Sequence, residues 1–598
     1  MRDTGIRTSR SIPIIVLAAG VLLLLLLAAG PALATQNGTQ VWAGKDMAGA
    51  KWQGETQMAG NYVVWTQKDD IITGGGGYQY QVYLADLATG AFLQLHPDMA
   101  MEQHYAHVAV QDGLITVVWT EAYNDNGYRQ HPWIWQGTEE AGTHFVPTPD
   151  PAIGDGVTSA FPRYLVKGTY DYSVDPAVPV ETNQGAASIG LVAEPGADVA
   201  GDHLVVAWED YRDFGQVPQV YYADLTVGLY PADSTTDLWA TGTAVDYTDL
   251  LARGEYSPAV GAKGVFWLDD RYSIWTNQGE MLATDVRFSD FASGGPDMTV
   301  PSVALYNDVP STDDNRGLIA AGAGAAWLHT GPYRNGAAEP FAAKVGGAAA
   351  LLTTATIPQG DGALSSTAAG GYYALMARHG DSATGDEDIF FYDPATGARV
   401  PVCDRGQNSY PTDPTGFQRF ANDAYQPAIA LVPAATPGSY LPFERVVWSD
   451  GRVNTVDPPE EGGMTQLFEA FVPRVTIKAG SSLRSGVSLR LGKSTTISTT
   501  VAPNFAGFKA TLQLVKATRP GIYTVLRSKY SSTKTLSSLS AASWTFKPTS
   551  KGTYLVRIYF GGGTRYYADG TLTAPVGGFS YQVPHVPNDS RLVKVVIH

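Results

Sequence analysis

Few residues in this chain could do chemistry, and their spacing decides what they could do. Cys403 is the single cysteine among 598 residues. It has no histidine partner nearby and can form no disulfide within the chain, so a small buried hydrophobe is expected there. His104-Tyr-Ala-His107 places two histidines three apart, but it lies in a segment that reads as a strand. In a regular strand those side chains face opposite ways, which argues against shared metal ligation. The acidic stretches from Asp308 to Asn315 and from Asp381 to Asp388 offer clustered oxygens of the kind calcium takes, without a known loop spacing. No Gly-x-Ser-x-Gly elbow, phosphate loop, His-Glu-x-x-His or Cys-x-x-Cys occurs. Neither a catalytic residue nor a cofactor is therefore expected, calcium aside.

One pattern of charged residues does recur: Trp208-Glu-Asp210-Tyr-Arg212, Trp267-Leu-Asp269-Asp-Arg271 and Trp448-Ser-Asp450-Gly-Arg452. A catalytic pair needs to exist only once. Repetition points instead to a structural turn in which a carboxylate meets arginine or backbone N–H.

The elements that must position these groups repeat as well. An apolar run ending in tryptophan appears at Trp65, Trp119, Trp208, Trp267, Trp327 and Trp448, with a degraded copy at Tyr372-Tyr-Ala-Leu-Met376. Successive copies are 54, 89, 59, 60, 49 and 72 residues apart, and the segment from Tyr170 to Thr182 is the expected insertion in the longest step. Ahead of the run stands a glycine turn such as Gly60-Asn61 or Asp112-Gly113, often after an aromatic-x-Pro strand such as Tyr256-Ser-Pro258 or Tyr425-Gln-Pro427. Behind it comes a second strand that ends in aspartate and a turn, as in Val82-Tyr-Leu-Ala-Asp86 followed by Leu87-Ala-Thr-Gly90. Aspartate bonds turn amides and glycine accepts positive φ, so each repeat reads as an antiparallel meander. The tryptophan strand is apolar at successive positions because it is expected to be buried on both faces, between neighbouring sheets.

These residues resemble the TolB-like β-propeller repeats of bacterial and archaeal exported proteins, over about residues 41 to 475. The resemblance implies an all-β propeller and says little about activity. Seven tryptophan-slot copies favour seven blades, and one misread repeat would make it six or eight. The fourth copy departs from the pattern, with Ile274-Trp275 read as a shortened outer strand, and His329 stands where the acid is expected in the fifth.

From about Val475 the composition turns to Ser, Thr, Lys and alternating apolar residues. Segments such as Ser494 to Val501, Ala510 to Val515, Thr553 to Phe560 and Leu592 to Ile597 have the two-residue period of half-buried strands. With Val501-Ala-Pro503, Phe546-Lys-Pro548 and Gly552-Thr-Tyr554, this part looks like a bacterial immunoglobulin-like β-sandwich spanning residues 476 to 598. The resemblance implies a spacer or adhesive unit.

The first residues carry Arg2, Arg7 and Arg10, an apolar run from Ile12 to Ala29, and Pro31-Ala-Leu-Ala34. That order is expected of a signal peptide over residues 1–34, with an uncleaved membrane anchor as the rival reading. The rest of the chain is then secreted, extracellular or associated with the cell wall. Residues 476–598 hold 16 Lys and Arg against Asp569 and Asp589, a formal charge of +14, whereas residues 35–475 sum to −33. Such asymmetry bears on partners. The expectation is an exported, non-catalytic binding or adhesion protein whose propeller meets an extracellular protein or glycan. Its basic module would meet an anionic cell-wall polymer, and no nucleic acid is expected. A glycan-active propeller enzyme, either glycoside hydrolase or lyase, is the alternative.

Overall fold

The computed structural model describes strands between residues 39 and 597 with the short turns that join them. It leaves out residues 1–38, 41–51, 149–161, 226–242, 291–302, 404–423, 451–464 and 567–581 together with shorter connecting stretches. The expected signal segment therefore lies outside the described residues. Every described element is a strand or bridge, and the chain has a β-propeller-like all-β fold.

Among the described residues, seven sheets of four or more strands follow one another from residue 52 to residue 472, beside two two-stranded hairpins. The first is built from Trp52–Ala59, Tyr62–Asp70, Tyr78–Asp86 and Phe92–Gln94. The second has Met101–Gln111, Leu114–Tyr123 and Arg129–Glu140, the last pairing with both His144–Pro147 and Arg163–Tyr164. Gln184–Val192, His203–Asp210, Gln219–Asp224 and Thr243–Ala244 make the third, and Glu255–Gly261, Gly264–Asp269, Asp285–Asp290 and Val303–Tyr306 the fourth. Asp314–Ala321, Gly324–Thr330 and Ala337–Lys344 head the fifth. Leu364–Ser366, Tyr373–Arg378, Glu387–Asp393 and Ala398–Cys403 form the sixth. The seventh has Ala424–Val432, Phe443–Asp450 and Gln466–Val472, and its outer edge is taken by Thr39–Gln40 from the far end of the chain.

The first strands of these sheets touch in ring order, and that of the seventh touches that of the first. Hydrogen bonds stitch neighbours together. Tyr105 N–H donates to Glu55 Oε2 (3.0 Å) across the first and second sheets, and Val260 N–H to Ser188 Oγ (3.3 Å) across the third and fourth. Ile429 N–H donates to Ser365 Oγ (3.2 Å) across the sixth and seventh, and Thr56 Oγ1 to the Gln426 carbonyl (2.5 Å) closes the ring.

The tryptophans stand on the second strand of their sheets. Trp65, Trp119, Trp208, Trp267, Trp327 and Trp448 are all fully buried, and Met376 fills the same slot in the sixth sheet. Opposite the indole, the third strand supplies a ring: Tyr83, Trp133, Tyr221, Phe341 and Phe468, at centroid distances of 5.5, 6.3, 6.3, 6.4 and 6.4 Å. Each such pair adds to the burial of the ring area itself. The fourth sheet differs, for Arg287 lies opposite Trp267, and its charge is met by Asp269 (3.6 Å) and Asp285 (3.7 Å).

One expectation is corrected here. Ile274-Trp275 is not an outer strand of the fourth sheet: Ile274–Thr276 pairs with Gly279–Met281 in a separate hairpin, and the third strand is Asp285–Asp290. The apolar residues that pack the sheet, Val286 and Phe288, come from the later segment. The expected insertion near Tyr170 does form its own hairpin, Thr169–Asp171 with Val178–Val180.

Residues 474 to 597 build two further groups of strands. Thr495–Ala502 pairs with Arg474–Val475, Lys478–Ala479 and Ala541–Phe546, while Lys509–Arg519, Gly552–Phe560, Val593–Ile597 and Gly486–Leu489 lead the other sheet. Ile497, Phe505, Leu512, Trp544, Phe546, Ile558 and Val595 fill one core between them. The pair Gly563–Tyr566 and Gln582–His585 leaves this unit and joins the outer edge of the seventh sheet, with Phe471 beside His585.

Candidate functional site

The first strand of most sheets carries a β-bulge near its start. Register shifts lie between Gly54 and Gln57, His104 and His107, Gln184 and Ala187, Tyr256 and Ala259, Arg316 and Ile319, and Tyr425 and Ala428. Inside five of them sits a residue of left-handed φ: Glu55 (52°), Tyr105 (56°), Ser257 (50°), Gly317 (57°) and Gln426 (46°). Only glycine takes that conformation freely, so a non-glycine residue there carries strain of roughly 1–3 kcal/mol. Four of the five keep a side chain regardless. A bulge re-aims the side chain it carries, and bulges of this kind gather at sheet rims beside functional sites.

Part of the reason is structural. Gln426 Oε1 accepts the N–H of Glu55 (2.5 Å), and Glu55 Oε2 in turn accepts the N–H of Tyr105, so the seventh bulge caps the first and the first caps the second. Ser257 N–H is capped by Glu209 Oε1 (2.8 Å). Gly54 lets this happen, since a Cβ on it would stand 2.4 Å from the Trp52 ring and 2.7 Å from Gln426 Oε1. Capping uses the side chains of Glu55 and Gln426. The Tyr105 ring is 48% exposed, the largest exposure of any aromatic side chain among the described residues.

Around Tyr105 the first and second sheets bring several groups together. His104 Nδ1 faces both Glu55 oxygens at 3.3 Å and its Nε2 faces Glu102 Oε2 at 3.9 Å. The His104 ring lies 4.5 Å from Tyr80 and 5.8 Å from Tyr105, Trp52 meets Tyr80 edge-on at 5.8 Å, and Lys68 Nζ stands 5.5 Å over the Tyr80 ring. Burial opposes ionisation of Glu55, but the bonds from His104, Thr66 and the Tyr105 N–H outweigh it and hold the carboxyl below its usual range. Burial, then the charges of Glu102 and Glu55, raise the Tyr80 phenol.

A different carboxylate pair lies at the opposite end of the same two sheets. Thr89 Oγ1 approaches both Glu139 Oε1 (2.7 Å) and Asp86 Oδ2 (3.1 Å), and Tyr62 OH donates to Glu139 Oε2 (3.2 Å). One hydroxyl proton cannot serve two carboxylates fully, so their proximity favours a proton on the pair. Burial, followed by the bond and charge of Glu139, pushes Asp86 up to about 7.

The repeated acid is placed otherwise than the sequence suggested. Asp210 is fully buried and accepts the indole N–H of Trp208 at 3.0 Å, and Glu121 and Gln67 receive Trp119 and Trp65 likewise at 3.0 and 3.4 Å. Residues two apart on a strand share a face, so this acceptor belongs to the strand, not to a turn. Asp269 finds its arginine in Arg287 of the next strand. Arg212, Arg271 and Arg452 lie outside the described residues, as does the side chain of Asp450. His329 holds the acid's place and pairs with Asn315 Oδ1 at 3.0 Å.

His104 and His107 also depart from expectation. The bulge sets His104 opposite Thr120 and His107 opposite Val118, so the extra residue puts the two in phase. They still do different things, for desolvation pushes His107 down to about 4, although part of its surface stays accessible. Among the described residues no three His, Cys, Asp or Glu side chains come together as a metal site. Most of both acidic stretches lies outside them, leaving Asn315 and Asp388 as buried strand residues. Cys403 ends the last strand of the sixth sheet, opposite Ile389.

No protein-family model matches the chain, and no curated protein does. Among solved structures it is similar to a mannose phosphorylase from Leishmania mexicana, at 8% identity and a TM-score of 0.23 over 56% of this chain and 92% of that one. The GH43 endo-arabinanase from Bacillus licheniformis matches at 8% and 0.23, over 51% of this chain and 99% of that one. A Trypanosoma rangeli sialidase mutant displaying trans-sialidase activity matches at 10% and 0.29, over 94% of each chain. At these scores the likenesses carry no argument about activity.

Proposed function

We propose that the chain is an exported binding protein: a signal peptide over residues 1–34, a seven-bladed propeller of TolB-like repeats over residues 35–475, and a bacterial immunoglobulin-like sandwich over residues 476–598. Ring-ordered contact among seven sheets, with Thr39–Gln40 completing the last, supports the blade number. One core enclosed by two sheets supports the sandwich. The ligand, an extracellular protein or glycan, is taken on the bulge face, while the basic module spaces the propeller from the cell wall or contacts an anionic wall polymer.

The observation that carries the binding reading is the row of strained, non-glycine bulge residues. Glycine serves at 317, whereas Tyr105 and Ser257 keep side chains at the same left-handed φ, and Tyr105 is 48% exposed. A side chain kept against strain is one with other work to do. The test is a binding screen of the full chain against extracellular proteins and glycans, repeated with Tyr105→Gly and Ser257→Gly. Both variants relieve φ and should fold at least as well. A ligand found in the screen should bind Tyr105→Gly about tenfold or more weakly, a loss of roughly 1.4 kcal/mol. Equal binding by both variants would overturn the reading.

A glycan-active enzyme is the second reading, favoured by Glu55 and Glu102 flanking His104 from adjacent sheets. Release of reducing ends from a glycan, lost in both Glu55→Gln and Glu102→Gln, would establish it in place of pure binding.

A further inference from the structure

Resting on the reading of the bulge face as a binding face, we propose that the cluster between the first and second sheets recognises an organic cation, an alkylammonium or guanidinium group carried by the ligand. Three observations converge. Trp52, Tyr80, His104 and Tyr105 form a continuous run of rings with neighbouring centroids 4.5 to 5.8 Å apart, and ring faces attract cations. The cluster already shows this preference, since Lys68 Nζ sits 5.5 Å over Tyr80.

Charge points the same way. Glu55 is held below the usual carboxylate range by its bonds, and Lys68, over the Tyr80 ring, brings one positive charge to a cluster with two carboxylates. Glu102 is left as the more open of the pair, 42% exposed at its side chain against 13% for Glu55. The exposed Tyr105 ring and the part-exposed Glu102 carboxylate both neighbour the same imidazole, one at 5.8 Å between centroids and the other at 3.9 Å from Nε2. A cation seated there gains a ring face and a carboxylate at once. Beyond the cluster, residues 35–475 carry a formal charge of −33, which draws cations toward this part of the molecule and repels anions.

The test uses the full chain and two small probes, choline and agmatine, with 3,3-dimethylbutan-1-ol as the neutral counterpart of choline, read by calorimetry. Saturable binding of both cations is expected, weakened about tenfold or more in Tyr105→Ala and in Glu102→Gln, retained in Tyr105→Phe, and weakened by added salt. Circular dichroism and thermal melting keep the comparison to folded protein. Binding of the neutral alcohol as tight as choline, or no binding of either cation at millimolar concentration, would overturn the proposal. So would full affinity in Tyr105→Ala. If a neutral oligosaccharide binds in their place and is lost in Tyr105→Ala, the cationic ligand is refuted while the binding face stands.

Discussion

Asp86→Asn is the most informative single substitution, because its effect on stability grows with pH. Asp86 is 4% exposed, shares the Thr89 hydroxyl with Glu139, and is pushed from 3.8 to about 7 by burial and by that second carboxylate. Tyr62, Thr89, Glu139 and the Ala88 N–H are the groups that face it. A folded-state value above the unfolded one means that the folded chain holds the extra proton. Its contribution to stability is fully present below pH ~4 and is lost as pH rises through about 7. The shift sets an upper bound of about 4 kcal/mol, at up to about 1.4 kcal/mol per pH unit inside the window. Asparagine stands in for the protonated acid: its carbonyl can keep the Ala88 N–H, and its amide can donate to Glu139. Urea unfolding of both proteins from pH 4.5 to 8 isolates the effect as a difference. Equal stability is expected at the acid end, and the variant should be the more stable by a few kcal/mol at pH 8. A difference that stays flat across this range would refute the shared proton.

Two further outcomes follow from the ring of bulges and the tryptophan slots. Glu55→Ala removes the acceptor of the Tyr105 N–H and the Thr66 hydroxyl, so thermal unfolding should show a loss of about 1–3 kcal/mol, with Glu55→Gln recovering part of it. Trp208→Ala empties a fully buried slot and strips Asp210 of its indole donor. Denaturant unfolding should report a loss of about 3–5 kcal/mol, and a smaller loss for Trp208→Phe, which refills the slot without the N–H.

What could be read from the sequence follows from how each feature is encoded. Burial between two sheets demands apolar residues at successive positions, and the tryptophan slots announce themselves for that reason. Strand edges in the second unit were likewise legible, Gly552–Phe560 falling one residue from the apolar alternation that begins at Thr553. The bulge face is encoded differently. A left-handed bulge asks only for a local backbone conformation, which Glu55, Tyr105, Ser257, Gly317 and Gln426 meet as five different residue types. Residue identity therefore gives no repeat. Spacing does: Glu55, Ser257 and Gly317 each stand ten residues before Trp65, Trp267 and Trp327, whereas longer strands or connections displace Tyr105 and Gln426. The aromatic-x-Pro motif marked two of these positions without disclosing their φ. Misplacement of the third strand in the fourth sheet has the same root, since a local hairpin carrying Trp275 imitates an aromatic strand, while the true strand puts Arg287 where its neighbours put a ring. Packing constraints thus write the scaffold into composition. The residues that vary at a fixed place on that scaffold, and tolerate strain to do so, are where binding is to be sought.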